Sequence, residues 1–208
     1  AVKRALGGLK PVQEKYLTPL AKEADFLRQV KTGETLVDKV KREVTIVAEL
    51  DPPKNLEIAK FKEGVKALDT SGVAAITLSD NSLAHTRICN LSLASLLRDE
   101  ISTPFLLHLT CRDHNMIGLQ SRLLGMDLLG FDHILAVTGD PSKLGDFPGA
   151  TSVYDVTSFK LIQLIKQLNQ GKSYSGASLK KATSFTVAAA FNPNVPNLAR
   201  SGRLIEKK

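Results

Sequence analysis

An α/β fold built on a parallel sheet is what this sequence predicts, and three observations carry the expectation. From Val44 onward, short apolar runs alternate with longer amphipathic segments. The runs are apolar along their whole length, as strands must be when helices cover both faces of a sheet. No glycine-rich turn follows the first run, which argues against an open dinucleotide-binding sheet. The architecture expected is therefore the (β/α)8 or TIM barrel. Five βα units are legible in the 208 residues. A closed barrel requires about three more, so the reading is of an apparently incomplete barrel.

Residues 1–42 read as a charged helical linker or N-terminal extension, with Leu17, Leu20, Ala24, Phe26, Leu27 and Val30 apolar and a break at Thr32-Gly33. Residues 43–208 carry the barrel units. Val44–Ala48 is β-branched and stops before Pro52-Pro53, which cannot continue a ladder. Asn55–Leu68 has helical spacing, with Leu56, Ala59, Phe61, Val65 and Leu68 on one side. Val73–Leu78 is the second strand and Ile88–Arg98 the next helix. Pro104–Leu109 is the third strand, followed by a helix over Asn115–Leu129 whose Met116, Leu119 and Leu123 are core positions. Asp132–Val137 is the fourth strand. A loop punctuated by Pro141, Gly145, Pro148 and Gly149 leads to a helix over Ser158–Leu168. Phe185–Ala190 is the fifth strand, and a helix is expected to run to the end of the chain.

Composition narrows the function classes. The apolar fraction of 43% fits a globular chain, and the 5% of aromatics with no Trp makes a Tyr/Trp-rich recognition surface a poor fit. The net charge of +7 is concentrated towards the ends of the chain. That distribution reads as a solvated surface tolerant of anionic ligands, with nucleic acid or an acidic partner as the minor alternative. Cys89 and Cys111 have neither metal-ligand nor disulfide-framework spacing, as expected of thiols in a reducing compartment. No apolar run reaches the roughly 18 residues of a membrane helix, and no signal-peptide core opens the chain. A cytoplasmic protein is expected, with no membrane and no nucleic acid as partner.

The polar residues that end the strands are the candidates for chemistry, because a parallel barrel gathers them at one mouth. They are Glu49 and Asp51, Ser79 and Asp80, His108 and Thr110, Thr138 and Asp140, and Phe191 with Asn192. Taken singly, Asp51, Asp80 and Asp113 read as helix caps or turn residues. A lone His between leucines reads as a satisfied core residue.

Four motifs in order, "VAELDPP", "HLTCRD", "VTGDPS" and "VAAAFNPNVP", resemble the methylenetetrahydrofolate reductase family, in the bacterial form fused behind a homocysteine S-methyltransferase domain. The similarity runs from about Glu34 to Lys208. It implies a barrel with FAD at its mouth, reduced by NAD(P)H and in turn reducing 5,10-methylenetetrahydrofolate to 5-methyltetrahydrofolate. Glu49 falls where the family keeps the acid that protonates folate N10, a role that burial of the carboxyl would favour. Asp140 falls at the carboxylate beside the flavin N1/O2 edge, where it tunes the reduced ring and helps hold the pterin. The resemblance assigns cofactor contacts to Ser79, His108, Leu109, Thr110, Thr138, Gly139, Tyr154, Asp155 and Phe191. Gly139 would let the backbone approach the ring. As partners it implies the folate substrate and a fused or adjacent homocysteine methyltransferase domain, and it admits a homo-oligomer.

The chain departs from the family pattern at Thr138, where many members carry Arg, and at Leu50-Asp51, where several have aromatic residues. Two other readings stay open at this level. One is a non-catalytic interaction or scaffold fragment of a fused methyltransferase. The other is a flavin-free barrel enzyme binding a pterin or phosphate.

Overall fold

A computed structural model describes residues 35–191 together with Asn194. The expectations for residues 1–34 and for a helix after Phe191 lie outside the described residues. Helix α1 spans Leu36–Arg42, opened by a capping box in which Thr35 and Asp38 satisfy each other's backbone N–H groups. The α/β alternation then follows as expected: β1 Val47–Glu49, α2 Ala59–Thr70, β2 Ala75–Leu78, α3 Asn90–Leu97, β3 Phe105–Thr110, α4 Met116–Leu128, β4 His133–Val137, α5 Ser158–Leu168 and β5 Thr186–Ala189.

The strands form one five-stranded sheet in the order β1-β2-β3-β4-β5, and every pair is parallel. Each strand thus lies beside its sequence neighbour, with no reversal of order. That is the winding of a barrel wall; a doubly wound sheet reverses at its switch point. All strand C-termini consequently share one edge.

Two boundaries differ from the sequence reading by three residues or more. The first strand begins at Val47 rather than Val44. Val44 is 96% exposed, because the ladder to β2 reaches back only to the Ile46 carbonyl, which accepts the Ala74 N–H. The second helix begins at Ala59 rather than Asn55. The Asn55 side chain accepts the Glu57 N–H at 3.0 Å, a local turn that competes with helix and leaves Leu56 90% exposed.

Strand alternation sorts the side chains onto two faces. On β3, Leu107 and Leu109 are fully buried in the apolar core, while His108 and Thr110 point to the opposite face. On β4, Ile134 and Ala136 join the same core. The helices close it with residues three and four apart: Phe61 and Val65 of α2, Leu93, Ala94 and Leu97 of α3, Leu119, Leu123 and Met126 of α4, and Leu161, Ile165 and Leu168 of α5. Each of these side chains larger than alanine contributes about 1.5–3 kcal/mol by leaving water. Helix α4 is capped by Asn115, which accepts the Gly118 N–H, and α5 by Thr157, which accepts the Lys160 N–H. Among the described residues, no helix is long and apolar enough to cross a membrane.

Candidate active site

A cavity of about 430 Å³ opens at the C-terminal edge of the sheet. Glu49 from β1, Ser79 after β2, His108 and Thr110 from β3, and Thr138, Gly139 and Asp140 after β4 all line it. The fold thus brings to one place seven of the residues that the resemblance assigned, drawn from four strands. Asp80, Asn81, Ser82, Arg112, Ser158 and Ala190 line it as well.

Glu49 and His108 meet across the cavity floor, Glu49 Oε2 lying 3.9 Å from His108 Nε2. The Glu49 side chain is 54% exposed, so the burial expected around it is not provided by the described residues. Among those residues, it pairs with no Lys or Arg. His108 is 11% exposed and shares a 2.5 Å hydrogen bond with the Thr77 hydroxyl. Burial pushes the His108 pKa down, while the charges of Glu49, Asp80 and Asp51 pull the other way without prevailing. The imidazole is accordingly neutral near pH 7. The His108 backbone carbonyl accepts a 2.9 Å hydrogen bond from Asn90, whose amide also donates to the Leu78 carbonyl and so ties the ends of β2 and β3 together.

The three aspartates that read singly as helix caps or turn residues brace neighbouring strand ends. Asp51 accepts hydrogen bonds from the Ser79 and Ser82 hydroxyls and from Arg87. Burial raises its pKa, but those hydroxyls and the Arg87 charge outweigh it, and the net shift is downward. Asp80 is buried and accepts both the Thr110 N–H at 3.0 Å and the Thr110 hydroxyl at 3.2 Å; its other oxygen lies 3.6 Å from Arg122. Asp113 is forked onto Arg112 and also accepts from the Asn81 amide.

Sequence reasoning passed over Arg112, although it stands in "HLTCRD" immediately after a strand. Its side chain is only 3% exposed. Nε and Nη2 donate to the two Asp113 oxygens at 2.6 and 2.8 Å, Nη1 donates to the Asp140 carbonyl at 3.0 Å, and Nη2 also donates to the Asn81 carbonyl at 3.1 Å. One guanidinium therefore joins the loops after β2, β3 and β4. The Asp140 carboxylate reaches across in turn, accepting the Leu83 N–H at 3.1 Å. Leu83 sits in a segment where Asn81, Leu83 and Ala84 all have positive φ, a conformation that costs non-glycine residues energy and needs such anchors.

The remaining predicted residues take different places. Leu109 turns its side chain into the apolar core and does not line the cavity. Gly139 has φ +86°, and a Cβ there would stand 3.1 Å from Thr110 and 3.2 Å from Arg112. The room its missing side chain leaves is thus taken up by the end of β3 as well as by the cavity. Tyr154 does not line the cavity; its hydroxyl donates to the Gly139 carbonyl at 3.0 Å. Asp155 accepts the Met116 N–H at 3.0 Å and so caps α4, away from the cavity lining. Phe191 is 46% exposed and also lies outside the lining. Thr138 donates a long hydrogen bond, 3.4 Å, to Ser158 at the start of α5.

Chemically, the mouth offers Glu49 and Asp140 from the first and fourth strand ends with the buried Asp80 between them in sequence, a neutral imidazole beside Glu49, and one cation, Arg112, already paired with Asp113. Such a set suits proton delivery and polar contacts to a heterocycle. The model of the methylenetetrahydrofolate reductase family matches residues 34–200 of the chain. No curated protein matches it.

Proposed function

The chain belongs to the methylenetetrahydrofolate reductase family, whose members are oxidoreductases acting on methylenetetrahydrofolate, and from that premise we propose that its mouth cavity takes FAD and the folate, with NAD(P)H as the source of electrons. The observation that carries this reading is the convergence of Glu49 and Asp140, from the first and fourth strands, on one cavity. At about 430 Å³ its volume falls within the about 300–1,000 Å³ of small-molecule sites. It is open between the strand ends and lined by hydroxyls and carboxylates, a donor and acceptor set that fits the polar edge of a flavin ring.

When bound, FAD supplies the hydride chemistry, accepting from NAD(P)H and giving to the folate methylene group. Glu49 holds the proton destined for folate N10, and a ligand ring laid over the mouth excludes water from that half-exposed carboxyl. Neutral His108 sits beside Glu49 without adding a fixed positive charge that would favour the ionised carboxylate over the acid. Asp140, lining the same cavity, would lie beside the bound flavin, where its carboxylate would tune the ring as a hydride donor. Ser79, Thr110 and Thr138 contribute hydroxyls to the lining, and Tyr154 steadies the Gly139 carbonyl. Under the same proposal, the methyltetrahydrofolate formed serves homocysteine methylation to methionine, through a fused or adjacent methyltransferase domain. The setting would be the cytoplasm, in keeping with the free thiols of Cys89 and Cys111.

Two measurements test this. The purified protein, supplemented with FAD, is expected to show the visible absorption of bound flavin; a protein that stays colourless sinks the reading. Glu49→Gln is expected to leave NAD(P)H-to-flavin electron transfer largely intact and to abolish folate reduction. Equal loss of both half-reactions would refute the acid role.

A further inference from the structure

Asp140 is restrained at three points, and two of them are backbone carbonyls. Tyr154 donates to the Gly139 carbonyl, Arg112 donates to the Asp140 carbonyl, and the Leu83 N–H occupies carboxylate oxygen Oδ2. Among the described residues Oδ1 is left without a hydrogen bond, on a residue that lines the cavity. We propose that Arg112 is the positioning residue of this mouth: it sets where the Asp140 carboxylate points by clamping its peptide to the loops after β2 and β3.

The chemistry of the guanidinium supports this role over ligand binding. Its charge is met by the fork to Asp113, and its two further bonds go to carbonyls of two different loops. Only a planar fork spans such a set; a lysine brings three donors from one point and cannot. The Arg112 Cβ would lie 3.2 Å from a Cβ placed on Gly139, so a bulkier loop would not seat over it.

The positioning claim is tested on the full chain without ligand; only its consequence for a flavin rests on the function proposed above. Amide exchange at Leu83 reports whether Asp140 is in place. Arg112→Gln is expected to accelerate that exchange about tenfold or more, the scale of losing a charge-assisted hydrogen bond, while Leu123 in α4 keeps its protection. Arg112→Lys, which keeps the charge, is expected to fail to restore it and serves as the second variant if Gln prevents folding. Asp140→Ala is expected to match the effect, and the double variant to add nothing. Leu83 exchange within about twofold of the parent in a folded Arg112 variant, or additive effects in the double variant, overturns the proposal.

With FAD added, the flavin midpoint potential of Arg112→Gln is expected to move in the same direction as that of Asp140→Ala. An unmoved potential despite fast Leu83 exchange overturns the part of the proposal that concerns the cofactor. Fast exchange in a protein that binds no FAD supports the positioning role and refutes the flavin reading alone.

Discussion

Removing the carboxylate of Asp80 tests how the end of β3 is held. Asp80 is 6% exposed and accepts two hydrogen bonds from Thr110, one from its N–H and one from its hydroxyl, while facing Arg122 at 3.6 Å. Asp80→Ala leaves the Thr110 N–H buried without a partner. It also leaves Arg122 with only its hydrogen bond to Asn90, at 2.5 Å, and its 3.4 Å approach to His114. A buried donor left unsatisfied costs about 1–3 kcal/mol, and breaking one side of a buried ion pair costs about 3–5 kcal/mol. The Arg122 contact is long and Arg122 keeps its other partners, so a total of about 3–5 kcal/mol is expected. For a chain of this size each kcal/mol lowers the melting temperature by about 2–4 °C, which gives a drop of about 6–20 °C by calorimetry. Asp80→Asn keeps an acceptor for Thr110 and loses only the charge, so its cost should be about 1–2 kcal/mol. An Asp80→Ala melting temperature within about 2 °C of the parent would refute the view that this carboxylate holds β3.

Three further outcomes follow from the geometry. Burial holds the folded-state pKa of His108 below its ordinary 6.5, so between those values the unfolded chain binds more protons and stability falls as pH drops below 6.5. His108→Gln should flatten that slope in pH-dependent denaturant unfolding, and an unchanged slope would contradict the assignment. Gly145→Ala would place a Cβ 1.8 Å from the Ala84 carbonyl oxygen. The loop must shift, the pairing of His85 with Asp146 at 2.6 Å should be lost, and faster proteolysis at residues 142–150 with about 1–3 kcal/mol of destabilisation is expected. Cys111 is buried with its thiol pushed up to about 11, whereas Cys89 is exposed with its pKa shifted downward. Mild alkylation of the native protein should therefore mark Cys89 alone in a peptide mass map.

The βα rhythm was legible because fully covered parallel strands cannot hide their composition, and Ser158–Leu168 was read to the residue. Boundaries slipped where a local hydrogen bond decided them, as at Asn55. The site was legible for a related reason: Glu49, Ser79, His108, Thr110 and Asp140 each stand at or just after the end of a strand, so topology alone gathers them. Arg112 escaped, and Asp80 was named at its strand end without its bracing role, because their work lies with partners about thirty positions away in sequence, which no local pattern reveals. For Arg112 the signal was present in an Arg-Asp pair directly following a strand. Asp155 and Phe191 lie beyond strand ends, where loop direction is set by packing, and here the residue order said nothing of which way they turn.

The alternation along β3 bears on how such a gene can drift. His108 and Thr110 face the mouth only because Leu107 and Leu109 face the helices. Deleting one codon within Phe105–Thr110 would exchange the two sets, setting leucines in the mouth and an imidazole in the oily layer beneath it. Substitutions can therefore accumulate in this strand one at a time, while changes of length are expected to survive only in the connecting loops.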